Sequence, residues 1–246
     1  MLLVRDWREL QMRRNDRAML IGATESGKTT LARYLIEDPN KKHSVVYDAK
    51  ISTAIDEWLY LPHAPYYNFE QLQEAEESRL IYRPNYRESL DPYAQDAFFQ
   101  WVYERRFTRV YVDEAYALLG GSSPSFHLQA CLSRGRERGI STVVATQRPK
   151  RIPLITMSEA ENFYIFRLNL IEDRMRVYEL TGIDPIEQME LKRFEFFYYN
   201  AVWGQRSGRL RLNLAAPRQV ALSRSDNNGR RGTAAATAFS VQHEAA

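Results

Sequence analysis

The sequence predicts an α/β fold: a mostly parallel sheet with helices on both faces and an antiparallel hairpin towards its C-terminal end. Three observations carry this. Residues 22–29, Gly22-Ala23-Thr24-Glu25-Ser26-Gly27-Lys28-Thr29, fit G-x-x-x-x-G-K-[ST], a phosphate-binding loop. Short apolar runs alternate with stretches of helical periodicity, which implies right-handed crossovers between parallel strands. The three stretches with chemical potential, residues 22–29, Asp113-Glu114 and Thr146-Gln147, each follow an apolar run, where ligands of such sheets bind.

The elements follow in order. Residues 1–17 hold Trp7, Leu10 and Met12 among many charges and read as a short lead-in packed on the core. Ala18-Met19-Leu20-Ile21 is a buried strand feeding the loop. From Thr30 to Glu37 a helix carries Leu31, Tyr34 and Leu35 at its spacing, and Pro39 closes it. Residues 43–48 (HSVVYD) are a second strand. Residues 51–77 mix a helix near 55–61, a proline-bearing loop, and an acidic helix near 70–77 that reads as a solvated face. Residues 79–82 are a strand stopped by Pro84. Asp91-Pro92 starts a helix, with Ala94, Phe98, Trp101 and Val102 as its buried stripe. Residues 109–112 form an apolar strand. Residues 120–124 are a flexible turn, 126–138 a helix stopped by Gly139, and 140–146 a buried strand. Residues 162–168 are a further strand, followed by a helix ending at Gly182. Residues 194–203 and 209–214, joined through Gly204 and Gly208, form the hairpin. One domain is expected over 1–217. Beyond Pro217 periodicity vanishes among Ser, Asn, Gly, Arg and Ala, so 218–246 reads as a disordered basic tail.

Strand, glycine-bearing turn and helix is the arrangement the phosphate loop needs. Its backbone N–H groups converge on phosphate at the positive end of the helix. Nucleotide contacts are therefore expected at Gly22, Ala23, Thr24, Glu25, Ser26, Gly27, Lys28, Thr29 and Thr30. Lys28 supplies a cation near the β- and γ-phosphates, and Thr29 a hydroxyl for Mg²⁺. Asp113 and Glu114 end an apolar strand in the Walker B pattern. Phosphoryl transfer needs a carboxylate near Mg²⁺ and a second group to orient or deprotonate water. Asp113 suits the metal, and Glu114 the role of general base. Gln147, at the end of the next strand, is placed to sense the γ-phosphate or hold the attacking water; a plain polar strand end is the other reading.

At 246 residues the chain can bury one sizeable core. No apolar run spans a membrane and no signal-peptide region opens the sequence, so membrane association is expected only through a partner. The single Cys131 excludes an internal disulfide, and His43, His63, His127 and His243 lack metal-ligand spacing. The net charge of +3 is modest. Basic residues nonetheless cluster at Arg134, Arg136, Arg138, Arg148, Lys150 and Arg151, and again in the tail at Arg218, Arg224, Arg230 and Arg231.

Residues 136–149 (RERGISTVVATQRP) resemble the R-x-x-G…A-T-Q-R-P block of the FtsK/HerA superfamily of DNA-pumping ATPases. Val45-Val46-Tyr47-Asp48-Ala49-Lys50 is similar to its second strand, hhhDxK, and Val112-Asp113-Glu114-Ala115 to its Walker B. The resemblance covers residues 18–200. It implies a RecA-like P-loop NTPase fold and Mg²⁺-ATP hydrolysis by a homo-oligomeric ring, a hexamer, acting on double-stranded DNA. The small size resembles the packaging ATPases of icosahedral viruses with an internal membrane. That implies genome packaging, a capsid or membrane-vertex partner, and a location in host cytoplasm or virion. Two departures stand out: Tyr116 replaces the commoner histidine, and Glu25 a small residue or glycine. The resemblance further implies that Arg136 reaches a neighbour's ATP, with Arg134 and Arg138 competing for that role. Arg134, Lys150 and Arg151 are candidates for phosphate contacts at a ring's inner edge. The alternative is an ATP-dependent switch or assembly protein that acts on a protein partner without moving DNA.

Overall fold

The computed structural model describes residues 10, 12, 15–36, 42–60, 63–119 and 125–212. The turn expected at 120–124 and the tail expected at 218–246 lie outside them, as does most of the lead-in. Nine strands form one sheet among the described residues, in the order β3-β4-β2-β5-β6-β1-β7-β8-β9. They are β1 Arg17–Ile21, β2 His43–Tyr47, β3 Ala64–Tyr66, β4 Arg79–Tyr82, β5 Thr108–Val112, β6 Ser141–Thr146, β7 Asn162–Phe166, β8 Glu195–Asn200 and β9 Gln205–Arg211. From β3 to β7 every pairing is parallel. The β7–β8 and β8–β9 pairings are antiparallel. The expected fold class is therefore the observed one.

Successive side chains of a strand point to opposite faces, and here the two faces carry separate cores. Met19, Ile21, Val45, Tyr47, Val110 and Val112 pack on one face with Phe98, Phe99 and Val102 of helix Pro92–Arg105 and Leu128 and Cys131 of helix Phe126–Arg134. Leu20, Val46, Tyr111, Val143 and Tyr164 face the other side, against Leu31, Ala32, Leu35 and Ile36 of helix Lys28–Ile36 and against Trp58. Strands buried on both faces read as continuous apolar runs, which is why β5, β6 and β7 stand out in the sequence. Burial pushes the Cys131 thiol up to about 12, so it packs rather than reacts.

Several elements differ from expectation. Residues 55–61 divide into helix Thr53–Asp56 and a 3-10 turn, Glu57–Tyr60. The acidic helix is only Phe69–Gln73, because Asn68 caps its start while Glu77 is drawn aside to accept the Tyr66 hydroxyl at 2.7 Å. The proline-bearing loop contains β3, an edge strand, where the missing N–H of Pro65 is tolerated. Residues 126–138 are α-helical only to Arg134 and continue as a 3-10 turn, Gly135–Arg138. The hairpin turns at 201–204 with Gly204 at φ 60°, and Gly208 lies inside β9 beside a register shift between Phe197 and Tyr199. Glycine within a strand marks such a bulge rather than a turn.

His63 is buried against Trp58, with Ser44 Oγ 3.4 Å from Nε2 and no partner for Nδ1 among the described residues. Burial, with Arg79 and Arg33 nearby, lowers its pKa to about 4. The folded chain then holds a neutral ring while the unfolded chain takes a proton below about pH 6.5, so stability falls as pH drops through that window. The expected loss between pH 7 and pH 5 is about 2 kcal/mol. Thermal melts of the parent and His63→Gln check this: the variant should lose less melting temperature over the interval, and identical slopes would contradict it.

Candidate active site

The three stretches singled out by sequence meet at the C-terminal edge of the sheet. β1 runs straight into the loop, and the loop is tied to both neighbouring strands. Gly22 N donates to Thr146 O at 3.1 Å, and Ala23 N to Arg167 O at 2.8 Å. A Cβ on Gly22 would lie 2.6 Å from Phe166 Cβ and 2.8 Å from Ser26 Oγ, so only glycine fits there. Gly27 takes φ 115°, in the region glycine favours. Glu25 adopts φ 59°, where glycine is the unstrained choice, which gives a physical meaning to its departure from the small residue of the family pattern.

Lys28 opens the helix, buried, with Nζ donating to Gly22 O and Ala23 O at 2.8 Å each. Burial lowers its pKa to about 8, against the pull of Asp113 and Glu114, so it is mostly charged at pH 7. The Ser26 hydroxyl is buried with no hydrogen-bond partner among the described residues. Such an orphan has a cost, and phosphate oxygens would satisfy it and give the Lys28 ammonium a stronger acceptor than carbonyls.

Asp113 N still pairs with Tyr47 O of β2 at 3.2 Å, continuing the ladder one residue past β5. Glu114 then takes φ 55°, and Ala115 N crosses to Ala145 O of β6 at 2.8 Å. This left-handed turn, worth about 1 kcal/mol of strain, sends neighbouring carboxylates to different places. Tyr111 donates its hydroxyl to Asp113 Oδ1 at 2.8 Å. Burial raises the Asp113 pKa, opposed by the Tyr111 hydrogen bond and by Lys28. Among the described residues no cluster of three His, Cys, Asp or Glu side chains could hold a metal. A cation here would take one carboxylate, one hydroxyl, and the oxygens of phosphate and water, a donor set that suits Mg²⁺.

The Glu114 carboxylate is buried, with both oxygens engaged. Gln147 N donates to Oε1 at 3.2 Å and Lys50 Nζ to Oε2 at 3.1 Å. The Gln147 side chain in turn accepts the Thr24 hydroxyl at 2.7 Å. Glu114, Gln147, Lys50 and the loop thus form one connected network. Asp48, the carboxylate of the second-strand motif, has a different job. Fully buried, it accepts Arg83 Nε at 2.9 Å and Ser52 N at 3.0 Å, holding the loop that presents Lys50.

Arg136 does not join this site. It lies on the 3-10 turn before β6, at the opposite edge of the sheet, half-exposed, with its guanidinium 3.1 Å from Glu161 Oε1. Arg138 is held within the chain, donating to Tyr103 O at 2.9 Å with its guanidinium 4.4 Å from the Tyr103 ring centroid. The exposed Arg134 belongs to the Arg136 edge, whereas Lys150 and Arg151, also exposed, follow β6 at the loop's edge; the structure therefore separates these three. Arg148 pairs with Asp173 at 3.0 Å and Glu172 at 2.5 Å. Sequence reading gave no role to Tyr111 or Lys50, and it placed Thr24 in the loop without pairing it to Gln147. Of the first two, only Lys50 carried a signal, through its place in hhhDxK.

No protein-family model matches the chain. The DNA packaging ATPase P9 of Enterobacteria phage PRD1 is 26% identical over 200 residues, covering 75% of this chain and 82% of that protein. Among solved structures, the genome packaging NTPase B204 of Sulfolobus turreted icosahedral virus 2 superposes with a TM-score of 0.69, at 16% identity, over 82% of this chain and 99% of that one. VirB4 of Thermoanaerobacter pseudethanolicus gives a TM-score of 0.62 at 11% identity, over 82% and 90%. In sequence the chain is similar to a viral packaging ATPase, and in fold to the B204 packaging NTPase and VirB4.

Proposed function

We propose that this chain is the ATP-hydrolysing motor of a viral genome-packaging machine, a ring of identical subunits that moves double-stranded DNA. One observation carries the chemistry: the buried Glu114 carboxylate, one residue after Asp113, is held by Gln147 and Lys50 at the mouth of the phosphate loop. An aspartate for the cation, a glutamate for the water, and an amide wired to the loop are what repeated hydrolysis requires. The likeness to the phage PRD1 packaging ATPase supplies the biological setting.

Each side chain has a task in this reading. Lys28 leaves the loop carbonyls for the β- and γ-phosphates, while Thr29 and Asp113 would hold Mg²⁺, which would supply positive charge against the developing phosphate charge. Glu114 accepts a proton from the attacking water. Gln147 is released from Thr24 as nucleotide fills the loop and becomes available to position that water. The capsid or membrane vertex is the docking partner, and Lys150 and Arg151 at the loop's edge are the candidates for sequence-independent phosphate contacts.

Arg136 belongs to the same proposal as a group acting between subunits. Five strand residues at about 3.3 Å each place it roughly 16 Å from its own loop, so it can complete only another copy's site, through a head-to-tail contact that closes into a ring. The experiment is ATPase rate against protein concentration, with and without double-stranded DNA. Specific activity should rise through the assembly range and rise further with DNA. A slow rate indifferent to both would favour a nucleotide switch acting on a protein partner. Arg136→Ala should bind ATP yet lose hydrolysis by roughly 10³-fold, as a trans arginine does. An Arg136→Ala protein that assembles and turns over like the parent would transfer the role to Arg134.

A further inference from the structure

The groups that face the terminal phosphate all stand on one side of the loop. Asp113 and Glu114 follow β5, Gln147 follows β6 and Lys50 follows β2, all to one side of β1 in the sheet order. A triphosphate whose terminal phosphate lies there must run its nucleoside the other way, towards β7 and β8. Because β8 is antiparallel to β7, with Phe196 paired to Phe166, the chain entering β8 arrives at the edge that holds the loop.

That entry is Arg193-Phe194. Phe194 N donates to Ser26 O of the loop at 2.9 Å, and Phe194 O accepts from Leu212 N at 2.9 Å. The Phe194 ring lies against Gly27, with Cδ1 only 2.8 Å from where a Cβ on Gly27 would be. The Arg193 guanidinium covers the ring at 4.8 Å from its centroid. Phe194 holds φ 67°, a conformation unfavourable for a bulky residue and one that persists only where the surroundings impose it. The strain fixes a partly exposed aromatic ring, capped by a flat cation, directly beside the phosphate loop.

We propose that Phe194 and Arg193 form the nucleoside subsite, a stacking platform for the purine base of the bound triphosphate. This rests on the nucleotide reading above and extends it to residues on the far side of the loop. An aromatic face and a guanidinium plane both stack on a base without needing hydrogen bonds to it.

Calorimetric titration, which needs no turnover, tests this with two ligands in the presence of Mg²⁺: ATPγS, and tripolyphosphate, which has no base. Phe194→Leu should weaken ATPγS binding about tenfold and leave tripolyphosphate binding unchanged, while Phe194→Tyr should retain the parent affinity for both. Arg193→Ala, at an exposed position, should weaken ATPγS alone, and it decides the matter if Phe194→Leu fails to fold. An equal loss for both ligands would make Phe194 a mere prop of the loop and overturn the proposal. So would unchanged ATPγS affinity in the variants, or a parent that binds both ligands equally tightly. A parent that binds neither would instead overturn the nucleotide reading itself.

Discussion

Lys28→Ala should hydrolyse ATP at least about 10³-fold more slowly than the parent, with no comparable loss of fold. The ammonium is buried on two loop carbonyls, and its pKa of about 8 records how poorly that pocket solvates a charge. Removing it leaves Gly22 O and Ala23 O without that donor but also relieves a buried cation, and the two effects oppose each other. What cannot be replaced is the charge that meets the β- and γ-phosphates. The sharpest readout is therefore stabilisation by ligand. A parent saturated at about 100 times its Kd gains about 2.7 kcal/mol, visible as a rise in melting temperature with Mg²⁺-ATP. The variant should melt close to the unliganded parent and show no such rise. Near-parent phosphate release from Lys28→Ala would end the phosphate-loop assignment.

Glu114→Gln separates binding from chemistry. It keeps the shape of the side chain and leaves Asp113, Thr29 and Lys28 in place, so ATP should bind normally. An amide cannot accept the proton of the attacking water, and turnover should fall by about 10²- to 10⁴-fold. The present contacts add a structural cost, since both Glu114 oxygens accept from donors, Gln147 N and Lys50 Nζ. The amide oxygen can satisfy one, which sets the NH₂ group against the other. Lys50 is half-exposed and can swing away, so the variant should fold with only a modest drop in melting temperature. Rapid filtration with labelled ATP should recover unhydrolysed nucleotide on the protein. Parent-like turnover would place the general base elsewhere.

Legibility in the sequence followed the range of the interactions. The phosphate loop is contiguous, and its glycines, lysine and threonine are dictated by local geometry, so Gly22, Gly27, Lys28 and Thr29 declare themselves. Strands buried on two faces announce themselves as apolar runs, so β5, β6 and β7 were plain. Contacts made across the sheet left no pattern. Tyr111 reads as one more apolar strand residue, yet its hydroxyl reaches Asp113 at 2.8 Å because residues two apart in a strand share a face. Nothing local marks Thr24 as the partner of Gln147, which lies on a different strand's end. The edge strand β3 was hidden by Pro65, a residue that argues against a strand everywhere except an edge. The α-to-3-10 change at Gly135 was hidden because both helices share nearly the same hydrophobic spacing over a single turn.

The two outer strands bear on solubility and aggregation. An unpaired strand edge is a template for pairing with another chain. Here one outer strand, β3, spans three residues and contains a proline; the other, β9, is the last strand among the described residues and carries Arg206, Arg209 and Arg211 around its internal Gly208. A second copy approaching β9 edge-on would meet long charged side chains, with Arg206 and Arg209 held in ion pairs to Glu187 and Glu190, and one approaching β3 would find little ladder to extend. Both lateral margins thus discourage sheet-to-sheet fusion when many copies are crowded together. Copies that associate in solution are left to meet through the helices and loops at the ends of the strands, where the ATP machinery and Arg136 occupy opposite poles.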